Sequence, residues 1–168
     1  MNTFSLAVLV NNQSGVLNRV TSMFRRRQFN INSLTVSETE LTNCSRITVV
    51  SEGEDSTKNQ LIDQLYKLPD VRSIKELEPE TSISCELLLI KMENDASTRE
   101  DIRAAADAFH AKIVDYTRDC MIYQLTGSSK KIDDFINLMR DYKIIEICRT
   151  GVVSLERGDT SIRKVSYL

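Results

Sequence analysis

The chain has 168 residues, 41% of them hydrophobic and 27% charged, with only 5 Gly and 2 Pro. That is enough for one medium domain or two small ones with a real core, and it excludes long disordered linkers. The 22 basic residues nearly balance the 24 acidic ones, for a net charge of −2, which excludes bulk attraction to nucleic acid or an anionic membrane. No apolar run approaches the ~18 residues of a membrane span, and no basic stretch precedes a hydrophobic one at the N-terminus, so the chain reads as cytoplasmic.

Leu6-Ala7-Val8-Leu9-Val10 reads as an apolar strand that breaks at Asn11-Asn12-Gln13-Ser14-Gly15. From there Val16, Leu17, Val20, Met23 and Phe24 follow the spacing of an amphipathic helix. Ser14 is placed to be its N-cap, and Gly15 allows close approach of the backbone to whatever lies above the helix start. A strand feeding a helix through such a turn leaves amide N–H groups unpaired at the positive end of the helix dipole, a seat for a carboxylate or phosphate. The same residues also read as an ordinary capped β–α turn.

Ile31 to Glu38 alternates apolar and polar as a strand, and Cys44 to Ser51 is its β-branched hairpin partner. Gly53-Glu54-Asp55-Ser56 leads into a helix carrying Leu61, Ile62, Leu65, Tyr66 and Leu68 that Pro69 ends; Val71 to Leu77 is a fourth strand. Glu78-Pro79-Glu80-Thr81 is the candidate boundary. The pattern then returns. Cys85 to Met92 is a strand, and Ser97 or Thr98 caps a helix with Ile102, Ala105, Ala106 and Phe109. Lys112 to Thr117 and Cys120 to Thr126 are strands, Gly127-Ser128-Ser129 opens a helix, and Lys143 to Cys148 closes the unit.

The order β-α-β-β-α-β thus occurs twice, with a period of roughly 80 residues that suits two small domains rather than a solenoid. The expected class is α+β: two tandem ferredoxin-like units, residues 1–78 and 82–168, each a four-stranded antiparallel sheet with helices on one face. So thin a unit is marginal alone, and docking or dimerisation is expected. The tail is expected to belong to the second unit and to be loose from Thr160 onward.

Chemistry-bearing signals are few. Cys44, Cys85, Cys120 and Cys148 are scattered, form no CxxC, and suit half-buried free thiols in strands. The one histidine, His110, sits near a helix end. No nucleophile elbow, P-loop, HExxH or Cys–His pair is present. The RNA-recognition fold shares this topology but needs aromatics on the central strands, where Phe4 and Tyr123 stand alone. Arg25-Arg26-Arg27 reads as cations near a helix C-terminus. In the second repeat the loop after the first strand is Lys91-Met92-Glu93-Asn94-Asp95-Ala96-Ser97, with no Gly and two carboxylates, so only the first unit suits an anionic ligand.

Asn12-Gln13-Ser14-Gly15-Val16-Leu17-Asn18-Arg19-Val20, followed by Phe29-Asn30-Ile31-Asn32-Ser33-Leu34-Thr35-Val36, resembles the ACT domain of the acetohydroxyacid (acetolactate) synthase small subunits. Ile113-Val114-Asp115, Gln124 to Ser128 and Arg149 to Asp159 resemble that family's C-terminal domain, so the resemblance covers nearly the whole chain. It implies a non-catalytic regulator that activates a catalytic large subunit and makes it sensitive to valine. It also implies a homodimer whose N-terminal domains pair and bind the amino acid between them. By position the ligand residues are Asn12, Gln13, Ser14, Gly15, Val16 and Leu17, with Asn30 and Ile31 completing the pocket from the strand that faces the partner. Thiamine diphosphate, FAD and Mg²⁺ are implied for the large subunit and none for this chain. Gln28 stands where the family usually has a small residue, often Gly; a left-handed backbone there would strain it by roughly 1 kcal/mol. A free-standing tandem ACT sensor and an RNA-binding pair of units are the other readings.

Overall fold

A computed structural model describes residues 2–164, for Lys164 the backbone alone. The first strand, β1 (Asn2–Asn11), is the one the first unit is built around, because it is buried on both faces. Its alternating side chains point to opposite sides. Leu6, Val8 and Val10 pack with Val20 and Phe24 of helix α1 (Val16–Arg26). The same cluster takes in Ile47 of β3 (Cys44–Gly53) and Leu61 and Leu65 of helix α2 (Asp55–Tyr66). Ala7 and Leu9 face the other way and cluster with Cys44, Leu77 and Ile162. With β2 (Ser33–Glu38) and β4 (Val71–Glu76), the antiparallel sheet runs β2-β3-β1-β4, which leaves β2 on an edge.

The second unit repeats this plan with β5 (Ser82–Glu93), α3 (Arg99–Ala108), β6 (Lys112–Tyr116), β7 (Cys120–Gly127), α4 (Ser129–Met139) and β8 (Ile144–Arg149). Its order is β6-β7-β5-β8, and Leu88, Ile90, Met121, Tyr123 and Phe135 lie in its core. The two tandem ferredoxin-like units expected from the pattern are therefore present. Even details recur: the sheet register slips between Leu9 and Val10 in one unit and between Lys91 and Met92 in the other.

The first helix of each unit also ends the same way. Gln28 (φ 60°) and His110 (φ 58°) are left-handed, and the next amide reaches back, Phe29 to the Phe24 carbonyl at 3.0 Å and Ala111 to that of Ala106 at 2.9 Å. This is a Schellman ending, ordinarily given to glycine. Phe29 also packs edge-on against Phe24, centroids 6.3 Å apart, and so covers the helix end.

The helix starts differ from the sequence reading. Gly15, not Ser14, is the N-cap of α1, with φ 84° and no side-chain cap. Thr98 precedes α3 without capping it by its side chain, whereas Ser128 caps α4 by accepting from the Lys131 amide.

The tail also differs. The compact units are Met1–Ile83 with Val152–Leu168, and Ser84–Gly151, so the tail is part of the first unit. Residues Val153–Glu156 form β9, and a 3-10 turn spans Ile162–Lys164. Arg46 Nη2 donates to the Ser154 carbonyl at 2.7 Å, Lys75 pairs with Glu156 at 3.4 Å, and Arg163 pairs with Glu40 at 2.6 Å. Ile162 is 9% exposed. The physical reason is the second apolar face of β1: Ala7, Leu9 and Leu77 need cover, and Ile162 contributes it. The looseness expected from Thr160 therefore does not extend to Ile162; the final four residues lie outside the described residues.

Candidate functional site

The β1–α1 turn is held from three sides. The Asn11 amide donates to the Asp70 carbonyl at 2.9 Å, that of Asn12 to the Asn43 carbonyl at 2.8 Å, and Arg19 Nε pairs with Asp70 Oδ2 at 2.7 Å. The Val16 amide is spent on the Gln13 carbonyl at 3.3 Å, while the amides of Ser14 and Gly15 meet no acceptor among the described residues. Gly15 is the position where this matters, since a φ of 84° is costly for any residue with a Cβ. Two free N–H groups thus stand at the uncapped, positive end of α1.

Beside them is a cavity of about 70 Å³ lined by Asn11, Asn12, Gln13, Val16, Leu17 and Val36, among others. Leu17 and Val36, each 41% exposed, are an apolar surface open to solvent. This volume lies far below the roughly 300–1,000 Å³ of drug-sized sites. Asn12 is exposed, and its Nδ2 donates to Glu38 Oε1 at 3.1 Å.

The structure brings Asn12, Gln13, Ser14, Gly15, Val16 and Leu17 together but leaves Asn30 and Ile31 elsewhere in the same chain. The Asn30 carbonyl accepts from Ser51 Oγ at 2.6 Å, and Ser51 is opposite Phe4 in the sheet. From Phe4 to Asn11 the strand advances about 23 Å, so Asn30 is at the far end. Its side chain is exposed and donates to Asn32 Oδ1 at 2.8 Å, while Ile31 packs against the core. Val36, Ser45 and Ile47 line the turn's cavity without having been foreseen. Alternation in β2 makes Val36 legible as apolar, but not its nearness to the turn, which the sheet register decides.

In the second repeat the matching seat is filled. Asn94 follows β5 as Asn12 follows β1, and its amide donates to the Asp119 carbonyl at 2.9 Å. Yet Asn94 is buried, its Nδ2 donating to the Thr117 carbonyl at 2.6 Å and its Oδ1 accepting from Arg99 Nε. Asp95 is held below the usual carboxylate range by hydrogen bonds from the Ser97 side chain and backbone, and Glu93 turns to Lys143 at 2.6 Å. An anion is kept out by occupied donors more than by the bare repulsion the sequence suggests.

Other candidates fall away. Tyr123 is 1% exposed in the core and offers no stacking face. The four cysteines all lie in strands, Cys44 buried, Cys120 half-buried, Cys85 and Cys148 exposed. No group of three or more His, Cys, Asp or Glu able to hold a metal occurs among the described residues. No helix there is long and apolar enough to cross a membrane.

Tandem ferredoxin-like units, with an open glycine turn only in the first, fit the ACT-type class of protein. The comparisons narrow the class. A family model described as the small subunit of acetolactate synthase matches residues 85–158, and one described as an AHAS small subunit-like ACT domain matches residues 6–73. The chain is 45% identical over 155 residues to the probable acetolactate synthase small subunit of Archaeoglobus fulgidus, covering 92% of this chain and 97% of that protein. It is 44% identical over 160 residues to the acetolactate synthase small subunit of Mycolicibacterium smegmatis, covering 95% and 94%. The crystal structure of the acetolactate synthase small subunit from Thermotoga maritima superposes with a TM-score of 0.89 at 34% identity, over 95% of this chain and 100% of that one. The chain belongs to the acetolactate synthase small-subunit family.

Proposed function

We propose that this chain is a non-catalytic, cytoplasmic regulatory subunit that activates the catalytic large subunit of acetohydroxyacid synthase and confers feedback inhibition by valine. The large subunit carries thiamine diphosphate, FAD and Mg²⁺. The observation behind the reading is the turn itself: two unpaired amides at the start of α1 beside a small cavity with an apolar flank. Valine's carboxylate docks on the Ser14 and Gly15 amides, its isopropyl group against Leu17 and Val36, and its ammonium beside Asn12 and its neighbour Glu38.

The missing part of the site comes from a second copy. Edge strand β2 offers unpaired backbone groups. Two copies of β2 paired antiparallel about a two-fold axis between Thr35 and Val36 set Ser33 of one opposite Glu38 of the other. The segment before Ser33 then continues toward Leu41 of the second copy, near the Asn12–Asn43 hydrogen bond. Asn30 and Ile31 thereby reach the turn of the other chain, which explains their separation within one. The second unit, whose own turn is filled, is assigned to contact with the large subunit.

The test has two arms. Adding the chain to the purified large subunit raises synthase turnover, and valine lowers it again; no change on addition overturns the regulatory reading. Mixing Gly15→Asp and Asn30→Ala chains, each unable to bind valine alone, restores one site per heterodimer. Calorimetry that recovers no valine binding in the mixture rules out the two-chain site.

A further inference from the structure

A second, larger cavity lies on the opposite face of the first sheet, under the tail. It measures about 200 Å³, and its walls include Leu9, Leu41, Arg46, Lys75, Leu155 and Ile162. This lies below the roughly 300–1,000 Å³ of drug-sized sites, so it suits a molecule of a handful of heavy atoms. All of its walls belong to the first unit.

Its charges are unevenly satisfied. Lys75 is paired with Glu156 and Arg163 with Glu40, and Glu38 accepts from Asn12. Arg46 is different: half-buried, it donates one Nη2 hydrogen to the Ser154 carbonyl and forms no ion pair among the described residues. Burial pulls its guanidinium below the ordinary value, against the opposing fields of Glu156 and Glu40. A guanidinium has five N–H donors in a planar fork that matches a carboxylate. Four of them are left over here, beside apolar side chains that water serves poorly.

We propose that this cavity binds a small monocarboxylate with an apolar body, its carboxylate on the Arg46 fork and its carbons against Leu9, Leu41 and Ile162. The tail forms the lid, since Leu155 and Ile162 belong to it and the Lys75–Glu156 and Arg163–Glu40 pairs fasten it. This site shares Glu38 with the amino-acid turn but uses none of its amides, and it needs no ammonium group on its ligand.

Isovalerate is the probe, with acetate as the carboxylate lacking an apolar body. Calorimetry on the full chain shows isovalerate binding once per chain and acetate at least tenfold more weakly. Arg46→Gln removes the fork, and Leu41→Trp fills the cavity with Arg46 intact; each weakens isovalerate at least tenfold. Should Arg46→Gln fail to fold by circular dichroism, Leu41→Trp carries the test alone. Gly15→Asp, which blocks the turn, leaves isovalerate binding unchanged. The proposal is overturned if the parent chain does not bind isovalerate, if acetate binds equally well, or if Leu41→Trp binds it as tightly as the parent. Loss of isovalerate binding in Gly15→Asp would also overturn it, by placing the ligand in the turn.

Discussion

Replacing Gln28 by glycine should stabilise the first unit. Gln28 occupies the left-handed position after α1 at φ 60°, its amide donating to the Arg25 carbonyl at 3.2 Å and that of Phe29 to Phe24 at 3.0 Å. The side chain is exposed, and no hydrogen bond of it to any described residue opposes the change. A residue with a Cβ in this region is disfavoured by about 1–2 kcal/mol, partly offset by the extra freedom glycine brings to the unfolded chain, about 0.4–1 kcal/mol. The net gain is about 0.5–1 kcal/mol. With a urea m-value of about 1–3 kcal/mol/M, the midpoint of the first unit's transition rises by about 0.2–1 M at unchanged m. His110→Gly, at the same position of the second unit, should raise the other transition similarly. Valine affinity should stay within twofold of the parent, because the Asn30 backbone is anchored by Ser51 Oγ rather than by Gln28. A fall in the midpoint on Gln28→Gly would refute the strain argument, and a large change in valine affinity would refute the claim that Asn30 is anchored independently.

Gly15→Asp should abolish valine binding while the fold persists at a cost of about 1–2 kcal/mol, since a Cβ at φ 84° is strained but meets only the movable end of Arg19, at 3.3 Å. Two charges of like sign about 4 Å apart near a surface repel by about 4 kcal/mol, roughly a thousandfold in affinity; calorimetry showing parental affinity would exclude the turn as the carboxylate seat. Arg149→Ala should cost the second unit about 3–5 kcal/mol, because it strips the ion-pair partner from Glu86, which is 5% exposed and otherwise held by Ser129. A urea-midpoint change equivalent to less than 1 kcal/mol would show that water already reaches Glu86. Asp95→Ala should destabilise the start of α3 only where Asp95 is ionised. The folded-state pKa of Asp95 is lowered, first by the Ser97 hydroxyl, so its contribution is present above the unfolded value of about 3.9 and is lost as pH falls through the folded value. Parent and variant midpoints should differ at pH 6 and converge in strong acid; a difference independent of pH would assign the effect to something other than the carboxylate.

Much of this protein is local enough to be written in order along the chain. Apolar spacing places eight strands and four helices within a few residues of where they stand, because burial of one face imposes a period that sequence alone displays. The same holds for the open turn at Gly15, which depends on residues adjacent in sequence. The N-cap was less legible: Ser14 has the right side chain, but the left-handed backbone at Gly15 makes glycine the boundary. Tertiary structure alone decided what depends on distant residues. The position of Asn30, about 23 Å along the sheet from the turn, follows from strand register. The burial of Asn94 follows from the Thr117 and Asp119 carbonyls, which lie beyond α3 and β6 and outside any local pattern. The return of the tail to the first unit is the largest such case, since nothing in Val153–Glu156 or Ile162 names its partner. The apolar face of Ala7, Leu9 and Leu77 does not exist until β1 and its neighbours are paired, and only then does it have the shape that Ile162 covers.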